Sequence, residues 1–259
     1  MIQKSFFIVL SVFLSACGSG SRPAIIPSQE IVLKPSPTPT IVPSPTPTPT
    51  EIAPTASPLP TSDPNLFRDD FTETLDAQWS WIREDPRAWS LTAIPGSLQI
   101  RISRGFVAAH TNSNILLRPA PKGNFQIETQ ISFRPQDNFQ FAGLIIYESD
   151  SNFIQGGRAY CNAVGCIGEG LYMDYYRKGV VVKPNFGPTH KDIDPILLRL
   201  SRKGDAYSFE VSNDGKVWFV INNHTSDINP LQIGLVTGQR LKGNSLFAIF
   251  DYFEVRSLP

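Results

Sequence analysis

Residues 65–259 of the chain predict an all-β domain in which two antiparallel sheets pack as a jelly-roll sandwich. Three observations predict this fold: β-rich segments recur about every ten residues, turn sequences separate them, and no segment keeps a helical period. The domain is long enough to bury one sizeable core. We predict strands over Leu98–Arg104, Phe125–Phe133, Phe139–Tyr147, Phe153–Tyr160, Leu171–Tyr176, Ile196–Ser201, Tyr207–Val211, Val217–Ile221, Leu231–Val236 and Leu246–Val255.

Turn sequences and side-chain alternation justify the individual strands. Asn213-Asp214-Gly215 predicts a hairpin, because an Asp-Gly pair supplies the positive φ that a tight turn needs. Pro95-Gly96 and Lys203-Gly204-Asp205 mark further turns. Within Phe125–Phe133 every second residue is polar, which predicts one wet and one dry face. The wet face carries Gln126, Glu128 and Gln130, and the dry face carries Ile127, Thr129 and Ile131.

The first 16 residues resemble a bacterial lipoprotein signal peptide. Lys4 precedes an apolar run, Phe6–Leu14, which leads into Leu14-Ser15-Ala16-Cys17. The run is about half of the ~20 residues that span a bilayer, so a plain transmembrane anchor is not expected. We expect cleavage before Cys17, lipidation of Cys17, and anchoring to the bacterial membrane outside the cytoplasm. An ordinary signal peptide that is cut elsewhere is the alternative.

Residues 17–64 predict a disordered linker that begins at the lipidated cysteine. Thirteen of the 23 prolines of the chain lie between Pro23 and Pro64, interleaved with Thr and Ser. Proline fixes φ and lacks an amide donor, so such a sequence builds neither a helix nor a sheet. We expect an extended spacer that holds the domain away from the membrane.

The cysteine count agrees with an oxidising compartment. The chain has three cysteines, and lipidation of Cys17 leaves Cys161 and Cys166 as a pair. Outside the cytoplasm such a pair can persist as a disulfide, which we expect here. Two free thiols are the alternative. A metal site is less favoured, because no second cysteine pair or nearby histidine accompanies them.

Charge argues against nucleic acid as a partner. The chain carries 23 basic and 23 acidic side chains, so its formal net charge is zero. No basic run appears in the sequence. A nucleic-acid-binding protein is expected to show a basic patch or stripe that neutralises phosphates.

Short motifs along the domain resemble a known family. They stand in the order Phe67-Arg68-Asp69-Asp70-Phe71, Leu75-Asp76-Ala77-Gln78-Trp79, Trp89-Ser90-Leu91-Thr92, Phe139–Tyr147, Ser212–Trp218 and Phe250-Asp251-Tyr252-Phe253. Together they resemble the concanavalin A-like, or laminin G-like, jelly-roll domain at the C-terminus of glycoside hydrolase family 43 β-xylosidases and its free-standing relatives. The resemblance implies a two-sheet sandwich whose first and last strands lie together. It does not imply hydrolysis, because the catalytic propeller of that family is a separate domain, absent from this sequence.

The acidic residues do not follow a glycosidase pattern. Such enzymes need two carboxylates at a set separation. In jelly-roll glucanases these come from a Glu-x-Asp-x-x-Glu strand, whereas Glu128–Phe133 lacks the second and third acids. Glu148 and Asp150 lie near a strand end, where a solvated loop explains them as well. We therefore expect no enzymatic activity, and a glycan-active enzyme is the minor alternative.

The middle strands carry the mixture of aromatic and polar side chains that sugar binding needs. Aromatic rings supply apolar area, and polar groups fix the orientation of the ligand. If the exposed faces of these strands line one concave sheet, Gln140, Arg158, Tyr160, Tyr172, Asp174 and Tyr176 converge. An ordinary core and an Arg158–Asp174 cross-strand pair are the alternative. Trp81 and Trp89 are second candidates.

No cofactor is expected, although jelly rolls often hold structural Ca²⁺ where the terminal strands meet. Asp69, Asp70 and Asp251 are weak candidate ligands, because hard oxygen donors suit Ca²⁺.

The sequence therefore predicts a lipid-anchored surface protein that displays a non-catalytic, carbohydrate-binding sandwich. Its expected partners are the membrane, through the lipid on Cys17, and a polysaccharide or other glycan. A protein–protein interaction module of the cell envelope is the alternative binding function, for which a flat apolar patch without a groove would be the structural sign.

Overall fold

A computed structural model describes residues 65–163, 168–187 and 192–259 of the chain. The signal peptide, Cys17, the Pro/Thr linker and Cys166 lie outside the described residues, so the predictions made for them stay predictions. The domain boundary at residue 65 stays one as well. None of the helices in the described ranges has the length and apolar character needed to cross a membrane.

Sixteen strands and two short 3₁₀ helices, Pro86–Ala88 and Val107–Ala109, make up the regular structure of the described residues. The first eight strands are β1 Asn65–Asp69, β2 Ser80–Ile82, β3 Trp89–Ser90, β4 Leu98–Arg101, β5 Ile115–Pro119, β6 Phe125–Ser132, β7 Gln140–Ser149 and β8 Asn152–Cys161. The other eight are β9 Gly168–Arg177, β10 Val180–Gly187, β11 Ile196–Lys203, β12 Ala206–Ser212, β13 Phe219–Thr225, β14 Gln232–Gln239, β15 Phe247–Phe250 and β16 Phe253–Ser257.

The described strands form two antiparallel sheets, which confirms the predicted jelly-roll sandwich. The nine-stranded sheet runs β13-β12-β11-β6-β15-β4-β3, with β16 and β1 added beside β6. The seven-stranded sheet runs β10-β9-β8-β7-β14-β5-β2. The first strand pairs with the last, with Arg68 opposite Glu254, as the family resemblance implied.

The main core lies between the inner faces of the two sheets. Ile127 and Leu198 of the nine-stranded sheet and Ile154 of the seven-stranded sheet are fully buried in it. Gly156 makes room for this packing, because a Cβ at that position would lie 2.5 Å from Cδ2 of Phe209. The inward residues alternate with outward ones along each strand, as the pleat requires.

The seven-stranded sheet is apolar on its outer face too. A second cluster there includes Phe141, Ile145 and Phe153, and Val107 of the β4–β5 connection packs into it. Residues 140–147 of β7 are buried without interruption. The strands of a sheet that is covered on both faces have continuous hydrophobic sequences, and this explains the apolar run Phe141–Tyr147 in β7.

Several strand predictions need correction. The segment predicted as one strand, Leu246–Val255, forms two strands, β15 and β16. The pairing is interrupted at Asp251 and Tyr252, where the Tyr252 carbonyl accepts a 2.5 Å hydrogen bond from the Thr129 hydroxyl. The strand predicted from Val217 begins at Phe219, since Asp214 Oδ1 accepts from two amides of the turn. Five short or edge strands, β1, β2, β3, β5 and β10, were not predicted as strands.

The prediction of a wet outer face on β6 is wrong for Glu128. The residue is 8% exposed, and its carboxylate accepts hydrogen bonds from Arg199 Nη2 at 2.8 Å and from the Tyr252 hydroxyl at 2.6 Å. Alternation gave the correct face, but it does not show that neighbouring strands cover that face with charged and aromatic side chains.

Candidate functional site

A cavity of about 240 Å³ lies on the outer face of the seven-stranded sheet, and we call it the tyrosine cavity. Its aromatic lining comprises Phe106, Phe139, Phe141, Tyr160, Tyr172 and Tyr176, and its polar lining includes Asn112, Gln155, Asp174 and Arg240. This volume is below the roughly 300–1,000 Å³ of pockets that hold drug-sized ligands, so it suits a single small ring.

Strand β9 places three lining residues in a row. Tyr172, Asp174 and Tyr176 are two residues apart, so the pleat turns all three toward the outer face. Tyr176 stacks on Phe153 with ring centroids 4.6 Å apart and planes 13° from parallel. The Tyr172 hydroxyl donates to the Gly168 carbonyl at 3.0 Å. Both rings are thus fixed before any ligand arrives.

Two loops complete the aromatic wall. Phe106 comes from the β4–β5 connection, and Phe139 lies just before β7 with φ of 64°. A bulky residue in the left-handed region is strained, and such strain is concentrated at functional sites. The Phe139 amide donates to the Tyr160 carbonyl at 2.7 Å, which holds this conformation. The Arg240 guanidinium lies over both rings, 5.2 Å from the Phe106 centroid and 5.7 Å from that of Phe139.

A buried carboxylate clamps the β4–β5 connection to the sheet. Asp150 accepts hydrogen bonds from Arg83 Nη1 at 2.6 Å and from the Tyr147 hydroxyl at 3.0 Å, and His110 Nδ1 lies 2.8 Å away. Arg83 Nε also donates to the Asn112 carbonyl at 2.7 Å. Burial alone would raise the pKa of Asp150, but the hydrogen bonds from Arg83 and Tyr147 outweigh it and lower that pKa.

Asp174 is the carboxylate at the floor of the tyrosine cavity. It is opposite Gln155 in the β8–β9 ladder, and Gln155 Nε2 lies 3.3 Å from its Oδ2. Burial raises the pKa of Asp174 to about 6, and the hydrogen bond from Gln155 acts in the opposite direction. Burial also raises the pKa of Tyr172 and that of Tyr176 to about 12, so both phenols are neutral at physiological pH.

The family of the chain follows from comparison with known proteins. The model of the β-xylosidase C-terminal concanavalin A-like domain matches residues 68–256. The chain belongs to this family. The match covers both sheets, so the family assignment applies to the whole described sandwich.

Relatives of this concanavalin A-like domain are parts of longer enzymes. A xylan 1,3-β-xylosidase of a Vibrio species is 27% identical over 208 residues, which cover 72% of this chain and 37% of that protein. A non-reducing end α-L-arabinofuranosidase of Bacteroides ovatus, BoGH43B, is 24% identical over 204 residues, which cover 74% of this chain and 37% of that protein. The chain therefore spans little more than a third of the length of either relative.

Solved structures agree on the fold. The crystal structure of the glycoside hydrolase family 43 protein BlXynB from Bacillus licheniformis matches with a TM-score of 0.66 at 21% identity, over 74% of this chain and 39% of that chain. At this identity the likeness shows the fold alone.

Within this concanavalin A-like domain, five of the six predicted sugar-binding residues line the tyrosine cavity: Gln140, Tyr160, Tyr172, Asp174 and Tyr176. Gln140 belongs to the framework of the cavity rather than to its open surface. It is fully buried, its Oε1 accepts from the amides of Gln136 and Asp137, and its Nε2 donates to the Asn244 carbonyl. Gln155, Phe106, Phe139 and Arg240 were missed.

The placement of Arg158 with these residues is wrong. Its side chain is on the inner face of β8, has no exposed surface, and donates to the carbonyls of Phe133 and Ile193. Its charged neighbours are Asp194, 3.5 Å away, and Glu169, 3.9 Å away, rather than Asp174. Residue parity along β8 separates Arg158 from Gln155, and the sequence prediction assigned the wrong parity to the outer face. Tyr160 has the parity of Arg158, and it lines the cavity where β8 ends.

Trp81 and Trp89 also lie away from the cavity. Their rings are 5.0 Å apart and pack against the main core where β2 and β3 form the edges of the two sheets. Trp89 Nε1 donates to Glu84 at 3.0 Å. The pair closes one side of the sandwich.

The three calcium candidates do not converge. Asp69 accepts from Trp79 Nε1 at 2.8 Å, Asp70 pairs with Arg68, and Asp251 accepts from the Ser97 hydroxyl. Among the residues that the structure describes, no group of three or more His, Cys, Asp or Glu side chains is placed to hold a metal ion. The three aspartates fix turns and loops near the paired terminal strands instead.

The remaining cysteine prediction stays open. Cys161 is 5% exposed at the end of β8, beside the tyrosine cavity, whereas Cys166 lies outside the described residues. The Cys161–Cys166 disulfide therefore stays a prediction.

Proposed function

We propose that the domain binds carbohydrate without hydrolysing it, and that the tyrosine cavity receives one sugar ring at the end or edge of a glycan. The convergence of Tyr172, Tyr176, Phe106 and Phe139 around Asp174 and Gln155 carries this proposal. Sugar rings combine apolar C–H faces with hydroxyl edges. A site with aromatic walls and a few polar groups at its floor is complementary to both.

The acidic content of the cavity supports binding rather than catalysis. Asp174 is the one carboxylate among the described residues that line it. Glycoside hydrolysis by the usual retaining or inverting routes needs a pair of carboxyl groups flanking the scissile bond. The similarity of the domain to parts of xylan- and arabinose-directed enzymes supports a glycan as the ligand class.

The proposal includes the location of the domain. Lipidation at Cys17 would tether the chain to the bacterial membrane, and the Pro/Thr-rich linker would present the cavity at a distance from the surface. Labelling with radioactive palmitate should mark the wild-type protein but not Cys17→Ser. Equal labelling of the two proteins would contradict this part of the proposal.

Binding is tested with the full chain against soluble xylans, arabinans, glucans and pectins by affinity electrophoresis. We expect retardation by at least one polysaccharide. Tyr176→Ala and Phe106→Ala should weaken it about tenfold, the equivalent of about 1.4 kcal/mol. Phe247→Ala is the matched control, because Phe247 is 47% exposed on the nine-stranded sheet. Mobility unaffected by every polysaccharide would overturn the proposed function.

A further inference from the structure

We infer that the ligand of the tyrosine cavity is an uncharged sugar whose two adjacent free hydroxyls donate to Asp174, and that carboxylated sugars are excluded. This inference rests on the proposed function and specifies its ligand class.

The carboxylate of Asp174 has more acceptor capacity than the protein uses. Gln155 Nε2, 3.3 Å away, is the side-chain donor that it meets among the described residues. An ionised carboxylate offers about four acceptor positions on its two oxygens. Asp174 lines the cavity and is only partly buried, so a ligand that enters the cavity can donate to positions that Gln155 leaves unused.

The spacing of a carboxylate selects the kind of donor. Two oxygens on one carbon match two donors held side by side, as in bidentate guanidinium pairing. Adjacent hydroxyls on a sugar ring present such a pair. The tyrosines on either side of Asp174, Tyr172 and Tyr176, are placed to contact the apolar faces of the same ring.

The same arrangement rejects a negatively charged ring. A ligand carboxylate at the cavity floor would face the Asp174 carboxylate in a partly desolvated site, where like charges repel strongly. The titratable and charged groups that face Asp174 across the described lining are Tyr160, Tyr172, Tyr176 and Arg240. Arg240 is exposed and lies over the rings of Phe106 and Phe139, and its charge acts on the Tyr176 phenol rather than on Asp174.

Binding should then depend on the ionisation of Asp174. Burial raises the pKa of Asp174 to about 6. At pH 5 only about a tenth of the molecules carry the charged acceptor, which should weaken the apparent affinity about tenfold relative to pH 7.5. The tyrosines flanking it, with pKa values raised to about 12, stay neutral over this range.

The experiment compares xylotriose and cellotriose, which are neutral, with trigalacturonate, by calorimetry on the full chain at pH 7.5 and pH 5. We expect a neutral trisaccharide to bind better than trigalacturonate, and its affinity to fall about tenfold at pH 5. Asp174→Asn should lose tenfold to a hundredfold at pH 7.5 and lose the pH dependence. Asp205→Asn, on an exposed turn of the nine-stranded sheet, is the control.

The outcomes separate the two proposals. Binding of trigalacturonate as tight as that of the neutral sugars, or neutral-sugar binding that Asp174→Asn leaves unchanged, would overturn this inference while the proposed function stands. Failure of all three trisaccharides and of the polysaccharide panel would overturn the proposed function itself. Asp174→Asn is nearly isosteric and removes a partly buried charge, so a folded variant is expected. Gln155→Leu provides a second test. It removes the hydrogen bond that lowers the pKa of Asp174, so the affinity for the neutral sugar should begin to fall at a higher pH than in the wild type.

Discussion

Gln155 and Asp174 face each other across the β8–β9 ladder, with Gln155 Nε2 3.3 Å from the Asp174 carboxylate at the floor of an aromatic cavity. Gln155 is the side-chain donor to the Asp174 carboxylate among the described residues, and Tyr172 and Tyr176 flank Asp174 on the same strand. A partly buried charge with few donors costs folding free energy, which solvent or a ligand offsets by supplying further donors. The pair therefore links the stability of the domain to its proposed binding function.

Asp174→Asn should stabilise the domain at neutral pH. The folded pKa of Asp174, about 6, lies above its unfolded value of 3.8, so the folded state binds more protons between these values. The stability of the wild type should fall as pH rises from about 4 to 6 and stay lower above that. Because the cavity admits solvent, we expect a gain of about 1–2 kcal/mol for Asp174→Asn at pH 7.5, and none near pH 3.

Urea unfolding of both proteins at pH 3, 5 and 7.5 measures this difference. Asp205→Asn should show no such gain, because Asp205 is exposed. A destabilised Asp174→Asn variant at pH 7.5 would show that the carboxylate has partners other than Gln155.

Arg158→Met should destabilise the domain without weakening glycan binding. The substitution removes the guanidinium that donates to the carbonyls of Phe133 and Ile193, while Asp194 keeps its pair with Arg134. A buried acceptor that loses its donor costs about 1–3 kcal/mol, so we expect a loss of about 2–6 kcal/mol for the two carbonyls. The control is Arg177→Met, which breaks an exposed pair with Asp227 and should cost less than about 1 kcal/mol.

Chemical unfolding measures the stability of Arg158→Met, and calorimetry on the same samples at 20 °C measures its affinity for the glycan. Loss of affinity in a fully folded Arg158→Met protein would return Arg158 to the binding site, as the sequence first predicted.

The contrast between Arg158 and Asp174 shows how far sequence reasoning reaches in this protein. Alternation along β9 correctly grouped Tyr172, Asp174 and Tyr176 on one face, because nothing interrupts the pleat there. Along β8 the sequence is Gln-Gly-Gly-Arg-Ala-Tyr, which has polar and small residues on both faces. No hydrophobic pattern marks the core side of that strand, and only the register with β7 and β9 settles it.

The loop residues of the cavity could not be predicted for a different reason. Phe106 and Phe139 reach the cavity from irregular segments whose course depends on long-range contacts. The Asp150 clamp is one such contact, since it joins the β7–β8 turn to residues 83 and 110. The strand periodicity that identified the two sheets carries no information about these connections.

Arg83→Met should loosen the β4–β5 connection and with it the wall of the cavity. The substitution removes two hydrogen bonds to Asp150 and two to Asn112. We expect faster amide exchange in peptides covering residues 103–114 and weaker binding of a neutral glycan. The pKa of Asp150 is lowered in the fold, so the wild-type clamp should be complete above about pH 4 and be lost as pH falls below it.

Hydrogen exchange followed by mass spectrometry at pH 7 measures this loosening. Arg87→Met is the control, because the Arg87 side chain is 86% exposed and pairs only with nearby Asp85 among the described residues. Unchanged exchange in the 103–114 peptides of Arg83→Met would mean that packing of Val107 alone holds the connection.

Tyr252→Phe should destabilise the nine-stranded sheet by about 1–2 kcal/mol. Its hydroxyl donates a 2.6 Å hydrogen bond to the buried Glu128 carboxylate, and such charge-assisted bonds are stronger than neutral ones. Burial and the neighbouring Glu128 charge raise the pKa of Tyr252, so its hydroxyl remains a donor at all ordinary pH values. The control is Gln126→Ala, on the same face of β6 as Glu128, and the urea midpoints of both variants are compared with that of the wild type. Equal midpoints for Tyr252→Phe and the wild type would contradict the contribution of this bond.

Amide chemical-shift mapping tests the central claim most directly. The uniformly labelled full chain is titrated with xylotriose and cellotriose at pH 7.5, and the shifts of backbone and Gln side-chain amides are followed. The tyrosine cavity predicts saturable shifts at Gln155, Asp174 and Tyr176 and little change on the nine-stranded sheet. Shifts centred instead on the polar groove of that sheet around Arg199, Ser201 and Lys203, with the cavity unperturbed, would contradict the proposed site.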